Sequence, residues 1–123
     1  GIASAGYPNL FMLTGPGSPS VLSNVITSIE QHVDWVVRLL DYLRENGIDR
    51  IEADADYQER WGKYCNDLAH QTLWPQADSW YMGANIPGKP RVFMPYIGGV
   101  NLYGERCAQV AANDYEGFTL GAN

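Results

Sequence analysis

The sequence has few of the residues that mark a metal site or a disulfide framework. Its two cysteines, Cys65 and Cys107, lie in segments of helical pattern and lack CxxC spacing, so we expect two buried or half-buried thiols. The two histidines, His32 and His70, are far apart and have no second ligand at a metal-binding spacing on the same helix face. No metal site is therefore predicted.

Basic residues and long apolar runs are also scarce. Eight Lys and Arg stand against 14 Asp and Glu, a formal net charge of −6, which opposes the phosphate-neutralising surface that nucleic-acid binders need. No apolar run approaches the roughly 20 residues that span a bilayer, and the amino terminus lacks the pattern of a secretory signal. We expect a cytoplasmic protein with neither a nucleic acid nor a membrane as partner.

What the chain does have is a globular composition with strong helical periodicity. Its 123 residues are 46% apolar and 18% charged, so one compact unit is the default. Apolar residues spaced by three and four predict helices over about 22–46, 54–74 and 99–113. We therefore predict a mainly α fold with one or two short strands.

The first predicted helix has a clear apolar side. Its members are Val25, Ile26, Ile29, Val33, Val36, Val37, Leu40 and Leu43. Ser20, Ser23 or Asn24 is expected to cap the start of this helix, and Asn46-Gly47 to end it.

A glycine-rich turn precedes that helix. The sequence Thr-Gly-Pro-Gly-Ser-Pro-Ser at 14–20 follows an apolar run at 10–13, which we predict to be a short buried strand. A strand-turn-helix unit can bind an anion or a cofactor at the helix start. The dinucleotide fingerprint is incomplete, however, because Ser20 stands where a third glycine is required. The spacing therefore favours a structural turn, which a cofactor could still touch.

A long loop is predicted over 76–97, followed by the third helix and a last short strand at 118–120. The loop contains Trp-Tyr-Met-Gly-Ala-Asn-Ile-Pro-Gly-Lys-Pro-Arg at 80–91. In one interpretation its aromatic residues pack into the core. In the other it is a mobile lid, because an indole N–H can bond a ribose or an amide, and Lys89 and Arg91 can meet phosphate.

The residues contain no complete set of catalytic groups. Several serines are present, but none lies in the G-x-S-x-G nucleophile elbow. The carboxylates of Asp54 and Asp56 are typical of a solvated helix start. We therefore predict no catalytic residue in this chain.

Four segments in order carry a resemblance to a known family. They are Gly-Tyr-Pro-Asn-Leu-Phe-Met at 6–12, Gly-Pro-Gly-Ser-Pro-Ser at 15–20, Ser-Ile-Glu-Gln-His-Val-Asp-Trp at 28–35, and Ser-Trp-Tyr-Met-Gly-Ala-Asn-Ile-Pro-Gly-Lys-Pro-Arg-Val-Phe at 79–93. Together they resemble the carboxy-terminal quarter of Baeyer–Villiger monooxygenases of the phenylacetone, cyclohexanone and steroid monooxygenase type. Such flavoproteins use FAD, NADPH and oxygen to convert a ketone to an ester or lactone.

The resemblance implies a role for each matching position. It implies that Gly15, Pro16, Gly17 and Ser18 approach the flavin. Residues expected in the substrate pocket are Pro19, Ser20, Val21, Leu22, Ser23 and Val25. Trp80, Asn85 and Lys89 match the mobile segment that folds over NADP.

The resemblance also implies an incomplete carboxy-terminal part of an FAD-dependent α/β fold with two dinucleotide-binding units. Residues 1–47 would be the last strand-turn-helix of the FAD domain, and 48–123 a helical extension. We expect the chain alone to be inactive and to bind no FAD tightly. Its expected partners are the missing amino-terminal portion, a second copy through exposed apolar faces, and a ketone in the complete enzyme. The alternative is a non-catalytic helical binding or assembly module derived from that family.

Overall fold

Three α-helices and one two-stranded antiparallel sheet make up the fold over residues 1–19 and 22–121, which the computed structural model describes. In chain order the elements are α1 (Val25–Glu45), β1 (Arg50–Ala53), α2 (Ala55–Ala69), α3 (Val100–Ala112) and β2 (Phe118–Gly121), with short 3-10 helices at Trp74–Gln76 and Trp80–Met82. The mainly helical prediction is confirmed, including its three helices and the strand near residue 118.

Helix α1 begins and ends where its capping residues predict. Asn24 Oδ1 accepts the amides of Ile26 and Thr27 at 3.1 and 3.3 Å, which satisfies two of the four open donors at the helix start. Asn46 is the carboxy-terminal cap, and Gly47 follows with a φ of 64°. Glycine suits this left-handed position because it has no Cβ.

Helix α2 ends at Ala69, several residues before the predicted end near 74. The Thr72 hydroxyl donates to the Ala69 carbonyl at 2.6 Å, and Pro75 lies in the separate 3-10 helix at Trp74–Gln76. At the other end, Asp54 occupies the cap position but makes no side-chain cap bond. Its carboxylate accepts instead from the Thr119 hydroxyl of β2.

The predicted strand at 10–13 is wrong. This run has no strand geometry, and residues with positive φ stand on either side of it, Asn9 at 59° and Thr14 at 55°. Within the run, the Met12 amide donates to the Ile2 carbonyl at 2.6 Å. The chain therefore folds back on its own first residues there instead of joining a sheet.

The strand β1 was missed because its four residues lack a distinctive pattern. It pairs with β2 across some 70 positions of sequence, with Arg50 opposite Gly121 and Ala53 opposite Phe118. Asn9 covers the other edge: its backbone amide donates to the Ile51 carbonyl at 2.8 Å, and its Oδ1 accepts the Ile51 amide at 2.9 Å. This side chain occupies hydrogen-bonding groups that an edge strand otherwise leaves open.

The main core draws on helices from both halves of the chain. It joins Trp35, Leu39 and Leu43 of α1 to Cys65 of α2 and to Cys107 of α3. Both cysteines are buried free thiols, as predicted, and burial raises the pKa of Cys65 to about 11. The division of the chain at residue 47 stays a prediction.

Helix α1 buries a different side from the one its apolar residues define. The buried positions are Ser28, His32, Trp35, Leu39 and Leu43. Of the predicted face, Ile26, Val33, Val37 and Leu40 are exposed, at 69, 40, 51 and 50%. Within the described ranges, then, α1 carries an apolar stripe that no other element covers.

The described residues include no helix that is long and apolar enough to cross a membrane.

Candidate functional site

The turn at 14–18 does not lie at a helix start. Helix α1 begins only at Val25, after its own cap. The Gly17 amide donates to the Met94 carbonyl at 2.7 Å, and the Ser18 amide donates to the Gly15 carbonyl at 3.2 Å. These two amides are therefore engaged within the protein, and the phosphate cradle considered from the sequence does not form.

Helix α2 holds the turn through Trp61. The indole Nε1–H donates to the Gly17 carbonyl at 2.9 Å, and the indole stacks on the Tyr96 ring with centroids 5.4 Å apart and planes 23° apart. The Tyr96 amide in turn donates to the Ser18 carbonyl at 2.8 Å. One aromatic pair thus fixes two consecutive peptide groups of the turn.

Helix α1 holds the other end of the turn through His32. Its Nδ1 accepts the Thr14 amide at 2.9 Å, and its ring packs against Tyr103 of α3 with centroids 5.3 Å apart. Burial lowers the pKa of His32 from 6.5 to about 4, so the imidazole is neutral near pH 7. Because Nδ1 is the acceptor, the ring proton is assigned to Nε2.

At two positions of the turn, Gly15 and Gly17, neighbouring atoms leave no room for a side chain. A Cβ on Gly15 would lie 2.9 Å from the Gly1 carbonyl oxygen and 3.0 Å from Met12 Cβ. Gly17 has a φ of 82°, and a Cβ there would lie 2.8 Å from Trp61 Nε1. Larger side chains at either position would push apart the elements that meet at the turn.

The predicted cofactor residues of the turn differ in accessibility. Pro16 is exposed, Gly15 is half-buried, and Gly17 and Ser18 are buried. Pro16 and Gly17 also line a cleft of about 950 Å³ between α2 and α3, together with Trp61, Tyr96 and other residues. Pro16 is therefore the member of this set that presents its side chain outward.

The predicted substrate residues are only partly described. Ser20 and Val21 lie outside the described residues. Pro19 is fully buried, and the half-buried Leu22 packs against the second core cluster, which contains Ala69, Tyr81, Met82 and Phe93. Ser23 and Val25 are half-buried. Their roles in a substrate pocket stay predictions.

The long loop has a buried base. Tyr81, Met82 and Phe93 are buried, and two backbone bonds join the two sides of the loop: Val92 N–H to the Met82 carbonyl at 3.2 Å and Met94 N–H to the Tyr81 carbonyl at 2.9 Å. The interpretation in which the aromatic residues pack inward is therefore right for Tyr81 and Phe93.

The outer part of the loop bears the three predicted lid residues. Trp80 is 57% exposed, and Asn85 and Lys89 are exposed as well. The alkyl chain of Lys89 lies over Gly83, and its ammonium has no hydrogen-bond partner among the described residues. Arg91 differs, since its guanidinium binds Asp78 at 2.7 Å and the carbonyls of Pro75 and Ala77.

Met94 links the loop base to the turn. Its amide donates to Tyr81 in the loop, and its carbonyl accepts from Gly17 in the turn. The structure thus joins the turn and the loop base through one residue, while Trp80, Asn85 and Lys89 are exposed to solvent. Sequence reasoning missed Trp61, Tyr96 and His32 as residues that hold the turn. The helical periodicity of the second predicted helix did not indicate these contacts.

Within the part of the chain that the structure describes, no three His, Cys, Asp or Glu side chains are grouped so that they could hold a metal ion.

Curated relatives match almost the whole chain. It is 41% identical over 120 residues to cyclopentanone 1,2-monooxygenase from Comamonas sp., and 40% identical over 121 residues to cyclohexanone 1,2-monooxygenase from Acinetobacter sp.. It is 34% identical over 115 residues to a Baeyer–Villiger monooxygenase from Pseudooceanicola batsensis. These matches span 98, 98 and 94% of this chain but 22, 22 and 21% of the relatives. The chain therefore spans about a fifth of the length of these relatives. No family model matches it.

Solved structures agree with the sequence matches. Cyclohexanone monooxygenase from Rhodococcus sp. Phi1 bound to NADP⁺ has a TM-score of 0.91 at 38% identity, and the match covers 100% of this chain and 23% of that one. OTEMO in complex with FAD and NADP has a TM-score of 0.87 at 30% identity, with 98 and 22% covered. Sequence and fold together show that this chain belongs, over the residues it contains, to the Baeyer–Villiger monooxygenases and corresponds to a part of such a protein.

Proposed function

We propose that the chain forms part of a flavin-dependent monooxygenase that uses NADPH and oxygen to convert a ketone to an ester or lactone. The observation that supports this best is the match of nearly the whole chain to proteins named as ketone monooxygenases, in the same order and with the same fold. FAD and NADP, which are bound in the OTEMO structure, would supply the redox chemistry. The chain itself would contribute binding and gating residues.

The turn would act as a fixed wall beside the flavin. Its backbone is held by His32 of α1, Trp61 of α2 and Met94 of the loop base, so a group that packs against Pro16 would meet a rigid surface. Pre-organisation of this kind lowers the cost of ordering a binding site. Residues 19–23 and Val25, which continue from the turn, are proposed to line the ketone pocket.

The outer loop would close over NADP. The exposed indole of Trp80 and amide of Asn85 offer hydrogen-bond donors, and the unengaged ammonium of Lys89 offers a positive charge for a phosphate. A buried base with an exposed outer part suits a segment that moves while its ends stay anchored. Arg91 is proposed to support the loop rather than to bind phosphate, because its donors are already engaged.

The uncovered apolar stripe of α1 is evidence that the rest of the enzyme packs against this helix. Ile26, Val33, Val37 and Leu40 share one side of the helix. Complete burial of one fully exposed side chain of this size contributes about 1.5–3 kcal/mol, so further burial of these four partly exposed side chains would favour a complex. We propose that the remaining four-fifths of the enzyme covers this stripe.

A segment exchange tests the proposal. Residues 1–123 would replace the corresponding segment of the Acinetobacter cyclohexanone 1,2-monooxygenase, and FAD content and ketone-dependent NADPH oxidation would be measured. We expect a yellow protein that consumes NADPH and forms lactone. In that chimera, Trp80→Ala should weaken NADPH use and coupling, whereas Leu73→Ala, at an exposed position outside the loop, should not.

Two outcomes would contradict the proposal. A chimera that folds and binds FAD but shows no ketone-dependent turnover would favour the non-catalytic module. Unchanged cofactor kinetics after Trp80→Ala would remove the lid role.

A further inference from the structure

The residue that enters the turn has a backbone conformation that its side chain disfavours. Thr14 has a φ of 55°, in the left-handed region where β-branched residues are rare because the Cβ crowds the backbone. Residues held in such conformations persist only where surrounding contacts hold them, and they concentrate at binding sites. Some contact must therefore hold Thr14.

His32 makes that contact. Its Nδ1 accepts the Thr14 amide at 2.9 Å, and the residue is fully buried. Its Nε2 is also buried and has no hydrogen-bond partner in the described part of the chain. The bond to Thr14 is therefore the polar contact that orients the ring, while the packing of Tyr103 fixes its position.

The bond acts directly on the proposed flavin wall. Thr14 precedes Gly15, whose Cα has no room for a side chain between Gly1 and Met12. A change in the Thr14 backbone would therefore shift Gly15 and the exposed Pro16 that follows it. The Trp61 contact lies beyond these residues, at Gly17, so it cannot replace the hold on Thr14.

We propose that His32 is a positioning residue that keeps Thr14 left-handed and so sets the Gly15-Pro16 wall for the flavin. The positioning part stands on the geometry alone, and the flavin part rests on the proposed function. Burial keeps the pKa of His32 low, at about 4, so that Nδ1 remains an acceptor at neutral pH.

The positioning part is tested by hydrogen exchange at the residue 14 amide, measured on the full chain with and without substitutions. His32→Leu removes the acceptor and should speed this exchange about tenfold, the change expected for loss of one partly buried hydrogen bond. His32→Asn should restore protection, because its Oδ1 lies close to the place of Nδ1. Equal exchange in all three proteins would overturn the proposal.

A measurement on the unmodified chain tests the same hydrogen bond without relying on variants, which could fail to fold. Nitrogen-15 NMR of His32 at pH 7 should show an unprotonated, hydrogen-bonded Nδ1 and a protonated Nε2. A protonated Nδ1 would overturn the proposal.

The flavin part is tested by a double substitution in the chimera. Glycine adopts left-handed geometry without support, so Thr14→Gly should make the His32 bond dispensable. His32→Leu should weaken FAD binding about tenfold when residue 14 is Thr, and much less when it is Gly. If His32→Leu weakens FAD binding equally with Thr and with Gly at residue 14, His32 acts through packing alone, and the proposed positioning role is wrong. If even the unmodified chimera binds no FAD, the proposed function fails, while the exchange and NMR results still decide the positioning role.

Discussion

At the residue scale, the turn depends on side chains that reach it from separate helices. Trp61 and His32 lie 44 and 18 positions from their hydrogen-bond partners in the turn, Gly17 and Thr14. Each engages a backbone group of the turn and not a side chain. Substitutions at these two residues should therefore report on the turn itself.

Trp61→Phe should destabilise the protein by about 1–3 kcal/mol, because it keeps an aromatic ring against Tyr96 but leaves the Gly17 carbonyl without its donor. Chemical denaturation measures the change. Trp74→Phe is the matched control, since the Trp74 indole N–H donates to no residue within the described chain. If Trp61→Phe lowers the free energy of unfolding no more than Trp74→Phe does, the hydrogen bond from Trp61 to the Gly17 carbonyl is not important for stability.

The free energy of unfolding should depend on the protonation of His32. The pKa of His32 is lowered to about 4 in the folded protein by burial, against 6.5 in the unfolded chain. The contribution of His32 is therefore complete above about pH 6.5 and declines as the pH falls towards 4, because the unfolded chain takes up the proton first. Denaturation at a series of pH values should show this loss.

Carboxylates also titrate at the lower end of that pH range, so variants are needed to isolate the histidine. His32→Asn should flatten the part of the slope near pH 6, and Gln71→Asn, which changes no ionisable group at an exposed position, should leave that slope unchanged. The prediction is wrong if the two variants behave alike.

At the element scale, the long loop divides into a base that belongs to a core cluster and an outer part that does not. Tyr81, Met82 and Phe93 anchor the base, whereas Lys89 and Arg91 lie on the outer part with different surroundings. In the sequence, Lys89 and Arg91 were both candidates for binding a phosphate. The structure engages Arg91 with Asp78 and two carbonyls, so the two residues should respond differently to substitution.

Lys89→Gln in the chimera should raise the KM for NADPH several-fold, about 1 kcal/mol, with little change in thermal unfolding. Arg91→Gln should instead lower the melting temperature or loosen the loop, which limited proteolysis would reveal. The reverse pattern, with Arg91 controlling KM and Lys89 controlling stability, would refute the assignment.

At the scale of the whole molecule, the uncovered side of α1 determines how the chain behaves without a partner. Val37 and Leu40 are about half exposed and lie in the carboxy-terminal half of the stripe. Exposed apolar patches on a helix favour association. The isolated chain should therefore self-associate.

Val37→Lys should weaken self-association about tenfold or more, because it places a charge where an apolar side chain would be buried. Sedimentation over a range of concentrations measures the effect. Gln71→Lys adds the same charge at an exposed position outside α1 and serves as the control. A monomeric chain at high concentration, or equal effects of the two variants, would argue against the stripe as an interface.

Local sequence determined the elements that depend on local interactions. The three-and-four spacing of apolar residues, with Asn24 and Asn46-Gly47 at the ends, was enough to predict α1. The order of four segments was enough to identify the family. These signals lie within short stretches of chain, and neither required knowledge of which surfaces meet.

Tertiary structure decided everything that depends on distant contacts. It determined which side of α1 is buried, since Trp35 and Leu39 share the main core with residues of α2 and α3 while the more apolar side stays uncovered. It paired β1 with β2, and it changed the predicted strand at 10–13 into an irregular segment. It also brought Trp61 and His32 to the turn, because hydrogen bonds to backbone groups leave no pattern in the side chains of the residues that receive them.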